Sequence, residues 1–296
     1  MKRSAHVRPF VVMSLLVFLA LLWKPTYSPA EESQSPSIYA KPNLVAWCIV
    51  PFDAAKRGPQ ARAKMLNDLG LKKVAYDWRQ EHVADFEDEI LAYKEHGLEF
   101  FAFWDTHEEM FNLFAKYKIS PQVWKMLTAP NEGSQQDKVE AAGRQLMPLV
   151  ERTRQLGCKL GIYNHGGWTG EPSNMVAVCK WLRENADADH VGIVYNFHHG
   201  HEHVEDFARQ IAQMKPYLFC VNLNGMNDQA QPKILAVGEG QHEIEMMKIV
   251  KASGYDGPIG ILDHRTELDT EESLRENLIG MKKVLTKMKD AAAKTY

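Results

Sequence analysis

Eight short apolar runs punctuate this chain, and each stops at a cluster of polar side chains. The later clusters are the richest: IYNHGGW at 162–168, VYNFHHGH at 194–201, VNLNGMN at 221–227 and ILDHRT at 261–266. Groups so far apart in sequence can share one site only if the runs lie side by side with their ends on one rim. Between the runs come stretches of helical periodicity, opened or closed by Gly and Pro. Alternation of β and α elements with polar residues at the strand ends predicts a (β/α)8 TIM barrel, whose site is built from the C-terminal ends of its strands.

The runs are 44–50, 73–78, 98–104, 121–126, 158–163, 191–195, 218–223 and 259–262. LVAWCIV at 44–50 is continuously apolar, as a strand covered on both faces must be. Helices are expected at 59–69, 86–96, 110–117, 137–156, 172–185, 204–214, 243–252 and 271–288. Pro59 and Pro172 stand at first turns, and Gly70, Gly97 and Gly157 follow helix ends.

Ahead of the barrel, Lys2, Arg3 and Arg8 precede an apolar run at 10–23, about fourteen residues and short for a membrane span. Ser28, Pro29 and Ala30 offer a cleavage site, so residues 1–30 read as a signal peptide, with an uncleaved anchor as the alternative. Residues 31–42 read as a polar linker, and 43–290 as a single barrel domain. An exported protein is expected, periplasmic or secreted, in a bacterium.

The formal charge is −3, and without the four cations of the leader (Lys2, Arg3, Arg8, Lys24) it is −7. That argues against a nucleic-acid partner. No membrane association is expected beyond the leader. Four cysteines are too few for a disulfide framework in a chain of this length; Cys48, Cys158, Cys179 and Cys220 read as buried thiols.

The motifs IYNHGGW, YNFHHGH, VNLNGM and GPIGIL resemble those of the xylose-isomerase-like, or sugar phosphate isomerase/epimerase, TIM barrels, and are most similar to exported members in planctomycete-type bacteria. The resemblance spans 43–285. It implies a small-molecule sugar substrate and proton transfer beside a carbonyl. It also implies one divalent metal held by Glu, Asp, His, His and Glu on strands five to eight. Tyr163, Asn196, His199, Asn222 and Asp263 occupy those positions here. Only His199 is retained and Asp263 is conservative, so the inherited metal site reads as degraded. A divalent ion (Mn, Mg or Zn), if held, would use His199, Asp263 and His165, or a trio of His165, His199 and His201 suited to zinc.

Without a metal the rim itself must supply acid, base and electrophile. His165, His199, Asp77 and Asp263 are the candidates for proton transfer, with Lys125 and Arg79 to steady an oxyanion. Trp47, Trp104, Trp124 and Trp168 are candidate sugar platforms. Tyr163, Asn164, Asn196, Asn222 and Asn224 offer donors and acceptors to hydroxyls. The plainer readings stand beside these. Trp47 and Trp104 could be core, Lys125 half of an ion pair, and His201 and His203 ordinary loop residues. His198 and His199, if extended, would face opposite ways, and His264 would face away from Asp263. A sugar isomerase or epimerase leads. A degenerate carbohydrate-binding barrel and a lyase or hydrolase of keto-glycosides are the alternatives, the hydrolase needing Asp77 and Asp263 across one cleft.

Overall fold

A computed structural model describes Met1 and residues 37–296. The leader expected at 1–30 and the linker up to residue 36 lie outside the described residues. Eight parallel strands close into a barrel in sequence order: β1 (Leu44–Trp47), β2 (Lys73–Tyr76), β3 (Glu99–Trp104), β4 (Gln122–Lys125), β5 (Lys159–Tyr163), β6 (Val191–Asn196), β7 (Leu218–Leu223) and β8 (Ile259–Leu262). The ring closes where β1 pairs with β8, Leu44 opposite Ile259 and Trp47 opposite Leu262. The (β/α)8 expectation holds, and β7 and β8 have the expected bounds.

Around the strands run α1 (Pro59–Asp68), α2 (Phe86–Glu95), α3 (Glu108–Tyr117), α4 (Gln135–Gln155), the single turn α5 (Gly167–Gly170), α6 (Pro172–Ala186), α7 (Phe207–Met214), α8 (Glu243–Ala252) and α9 (Thr270–Lys287). Helix α4 begins two residues earlier than expected because Ser134 and Asp137 form a reciprocal cap. Helix α7 begins later than expected, since residues 197–203 are spent in two tight turns.

Strand periodicity sorts the side chains into two layers. One set, including Ile162, Ile193, Val221 and Ile261, packs outward against the helices. The other points into the barrel: Val45, Trp47, Ala75, Phe101, Trp124, Tyr163, Val194, Cys220 and Leu262. The interior is therefore a packed aromatic plug rather than a pore. Trp47 lies 4.9 Å from Trp124 and Tyr163 lies 4.7 Å from Trp104, both in edge-on contacts. The four cysteines are buried and free, as expected.

The segment read as a polar linker up to residue 42 is partly structural. Tyr39 is fully buried and its hydroxyl donates to the Met247 carbonyl at 2.6 Å. The Tyr39 carbonyl in turn accepts from the Tyr296 hydroxyl at 2.8 Å. One aromatic residue among polar ones anchors this strap, and composition averaged over the segment hides it.

Gly260, inward on β8, sits opposite Asn222 on β7. A Cβ there would overlap the Asn222 amide. Gly260→Ala should lower stability by about 1–3 kcal/mol through overpacking, measured by urea unfolding. The same change in an Asn222→Ala background should cost clearly less; equal costs would refute the contact.

Candidate functional site

At the C-terminal rim the plug stops short of the surface and leaves a pocket of about 100 Å³. Trp47, Trp104 and Tyr163 form its aromatic floor and wall. Asp77, Arg79, His165, Asn196 and His199 contribute polar groups to its lining. Cys48, Phe52, His198, Leu262 and His264 complete the lining.

One network sets the floor. The Tyr163 hydroxyl accepts from Trp47 Nε1 at 3.2 Å and is also in contact with Asn196 Nδ2. Asn196 Oδ1 accepts the His198 backbone N–H at 3.1 Å and so caps a tight turn over Phe197–His199. The expectation that only one of His198 and His199 faces the mouth is thereby corrected. It assumed extended backbone, whereas the capped turn carries both imidazoles to the pocket. Their rings are 4.4 Å apart, with His165 at 4.3 Å from His199 and His264 at 5.1 Å from His198.

Burial governs the protonation of these groups. It lowers the His198 imidazole to about 3, helped by the Lys233 charge and the neighbouring His264 and His201. It lowers His199 to about 2, helped by His198 and His165. His264 is lowered as well, by burial and then by Arg79 and Lys233. All three are thus neutral at neutral pH and offer one N–H and one acceptor nitrogen each. Burial acts oppositely on Asp77, raising its carboxyl to about 7 against the pull of Arg79. Oδ1 of Asp77 accepts the Val50 N–H at 3.3 Å, while Oδ2 has no partner among the described residues. The Arg79 guanidinium lies over the Phe52 ring at 5.5 Å and is held by the Trp78 carbonyl at 2.7 Å.

Several expected site residues lie elsewhere. Asp263 points behind β8, where Thr270 and Ser273 of α9 donate to its two oxygens at 2.8 and 2.5 Å. Strand parity explains this: Leu262 and His264 face inward, so Asp263 faces out. Asp77 and Asp263 therefore do not flank a common cleft, and the carboxylate pair a hydrolase would need is not formed. Lys125 is ion-paired with Asp105. Trp124 is fully buried beneath the pocket and donates to Gln122 at 2.8 Å. Trp168 sits on α5, its indole N–H bound to Gln135 at 2.8 Å.

The remaining asparagines serve the frame. Asn164 brackets the Asn196 backbone with two hydrogen bonds of 3.0 and 2.7 Å. Asn222 is buried beside Gly260 and accepts from Cys220, while Asn224 donates to the carbonyls of Gly225 and Lys233. His203 lies between Glu171 and Asp206, at 3.1 and 3.2 Å.

No protein-family model and no curated protein matches the chain. Solved structures do resemble it. The apo 3-keto-D-glucoside 4-epimerase of E. coli is 13% identical, with 82% of this chain and 100% of that one covered and a TM-score of 0.59. D-psicose 3-epimerase in the presence of D-fructose is 12% identical, with 82% and 98% covered and a TM-score of 0.61. A xylose isomerase domain-containing protein of Salmonella typhimurium is 13% identical, with 85% and 99% covered and a TM-score of 0.60. The chain has the fold of the xylose-isomerase-like TIM barrels.

The metal that the resemblance implies does not fit this barrel. At the corresponding positions the Tyr163 hydroxyl is taken by Trp47 and Asn196, the Asn222 oxygen by Cys220, and Asp263 by α9. The trio of His165, His199 and Asp263 is not brought together, because Asp263 faces the helices. Among the described residues no three His, Cys, Asp or Glu side chains are placed to hold an ion, so the trio of His165, His199 and His201 fails as well.

Two outcomes separate site from frame. Asp263→Ala should lose about 2–4 kcal/mol, since it strands two buried hydroxyls; an unchanged urea midpoint would contradict that. Asp77 holds its proton more firmly folded than unfolded, so its contribution is fully present below about pH 4 and lost as pH rises through about 7. Asp77→Asn should therefore equal the parent near pH 4 and exceed its stability at pH 8 by roughly 1–4 kcal/mol.

Proposed function

We propose that this barrel is an enzyme acting on a free sugar or keto-sugar, an isomerase or epimerase that moves a proton beside a carbonyl. The observation that carries the reading is the Asp77 carboxyl, buried, raised to about 7 and with one oxygen unpartnered in a pocket of aromatic and imidazole walls. A base with that proton affinity is matched to work near neutral pH. Sugar epimerases among proteins of the same fold support the substrate class.

In this reading the sugar rests against Trp47 and Trp104, and Asp77 takes the proton from the carbon beside the carbonyl. The enediolate oxygen that then gains negative charge is stabilised by Arg79 and by N–H groups of the neutral imidazoles of His198, His199 and His264. Asp77 returns the proton either to the same carbon from the other side, after the intermediate shifts, or to its neighbour. In the second case a neutral imidazole of the wall carries the hydroxyl proton from one enediolate oxygen to the other, so that the carbonyl re-forms. Export belongs to the same proposal, on the charged and then apolar leader at 1–30.

With Asp77 as the base, kcat/KM on a panel of keto-sugars should rise with pH through about 7, with no limb from His198 or His199 above pH 5. Asp77→Asn should reduce turnover by about 10²–10⁴-fold with the fold intact. Arg79→Met should lower kcat more than it raises KM, by about tenfold or more. Full turnover by Asp77→Asn would remove the assignment.

A further inference from the structure

The inner pocket is small. At about 100 Å³ it falls well below the roughly 300–1,000 Å³ of ordinary small-molecule sites. It is not isolated, however. A second hollow of about 530 Å³ opens beside it and shares His165, His198 and His199 as a common wall. The rest of its lining is polar and comes from three loops: Gly166 after β5, His201 and Glu202 after β6, and Gln229, Ala230 and Lys233 after β7. The two hollows also differ in chemistry. The inner one has indole and phenol faces against which a ring can stack, whereas the outer one has amide, carboxylate and ammonium groups suited to hydroxyls.

Polar atoms along this path lack partners. His198 Nδ1, His201 Nε2 and His264 Nδ1 are buried and make no hydrogen bond with the described residues. His198 borders both hollows, His201 the outer and His264 the inner. Buried imidazole nitrogens left in this way call for a bound polar group or water. Their distribution follows the whole length of the double hollow rather than one end.

We propose, on the sugar reading above, that the natural substrate is a glycoside of two units, the carbonyl-bearing unit set with its reacting edge at the inner pocket and a second, hydroxyl-rich unit in the outer hollow. The bond between the units then passes the wall of His165, His198 and His199. The loop after β7 becomes the determinant of what the second unit is, because it supplies Gln229, Ala230 and Lys233.

Calorimetric titration of the purified protein with glucose, xylose and fructose, and with maltose, cellobiose, trehalose and sucrose, tests this. At least one disaccharide should bind about tenfold tighter than either of its component sugars. Lys233→Trp and, independently, Ala230→Trp fill the outer hollow and should bring that ratio close to one. Circular dichroism establishes that each variant is folded, and either variant alone decides the point. Component sugars binding as tightly as every disaccharide, or a ratio unmoved by both tryptophans, would overturn the two-unit site and leave a one-sugar enzyme standing. Binding of no sugar on the panel would overturn the sugar reading and this proposal together.

Discussion

The Tyr163 hydroxyl joins three strands that must agree for a site to exist. It accepts the Trp47 indole N–H from β1 and meets the Asn196 amide at the end of β6, inside a plug where water is excluded. Burying a hydroxyl, an indole N–H and an amide would each be costly alone, but together they satisfy one another. The consequence reaches beyond the core. Asn196, held by Tyr163 on one side and bracketed by Asn164 on the other, has its oxygen free to cap the turn that carries His198 and His199 to the mouth. Removing the Tyr163 hydroxyl would therefore disturb the imidazole wall without touching it.

Above that floor, desolvation acts in one direction on Asp77, His198, His199 and His264: it favours the neutral form. Imidazoles fall and the Asp77 carboxyl rises. Near neutral pH the pocket holds neutral donors and acceptors, one half-protonated acid, and the fixed positive charge of Arg79 at its edge. Such a medium suits a reaction in which negative charge develops on an oxygen and is later dispersed. The donors are already oriented, and no solvent must be rearranged to meet the new charge. Had the imidazoles stayed charged, they would have lowered the Asp77 carboxyl and weakened it as a base.

The barrel was legible in the sequence because its cause is local: apolar runs, glycine and proline stops, and polar clusters repeat eight times. So was about half of the pocket, since Trp47, Asp77, Arg79, Trp104, Tyr163, His165, Asn196 and His199 stand at or just beyond inward strand positions. The misplaced residues failed for two physical reasons. Asp263 stands where the resemblance implies a ligand Glu, yet alternation from the inward Gly260 and Leu262 turns it toward the helices and puts His264 at the mouth. Lys125 and Trp168 are claimed by partners distant in sequence, Asp105 and Gln135, which no local pattern reveals. His198 lies between these cases: the signal was an asparagine two residues ahead of it, able to cap a turn and break the alternation.

At the positions where the resemblance implies metal ligands, Tyr163 and Asn196 meet each other, while the buried Asn222 amide nitrogen has no partner among the described residues. A Glu at 163, an Asp at 196 and a second His at 222 would be tolerable beside a divalent cation, which neutralises them. Without such an ion, two carboxylates placed in this aromatic plug would be buried charges that cost several kcal/mol in desolvation. Tyr163, Asn196 and Asn222 are neutral, and the first two bond each other. Any one of those carboxylates placed alone would strand a charge in an aromatic core. With Tyr163 and Asn196 bonded into the floor, the polar groups free to meet a ligand are Asp77 just beyond β2, Arg79, and the histidines of the loops.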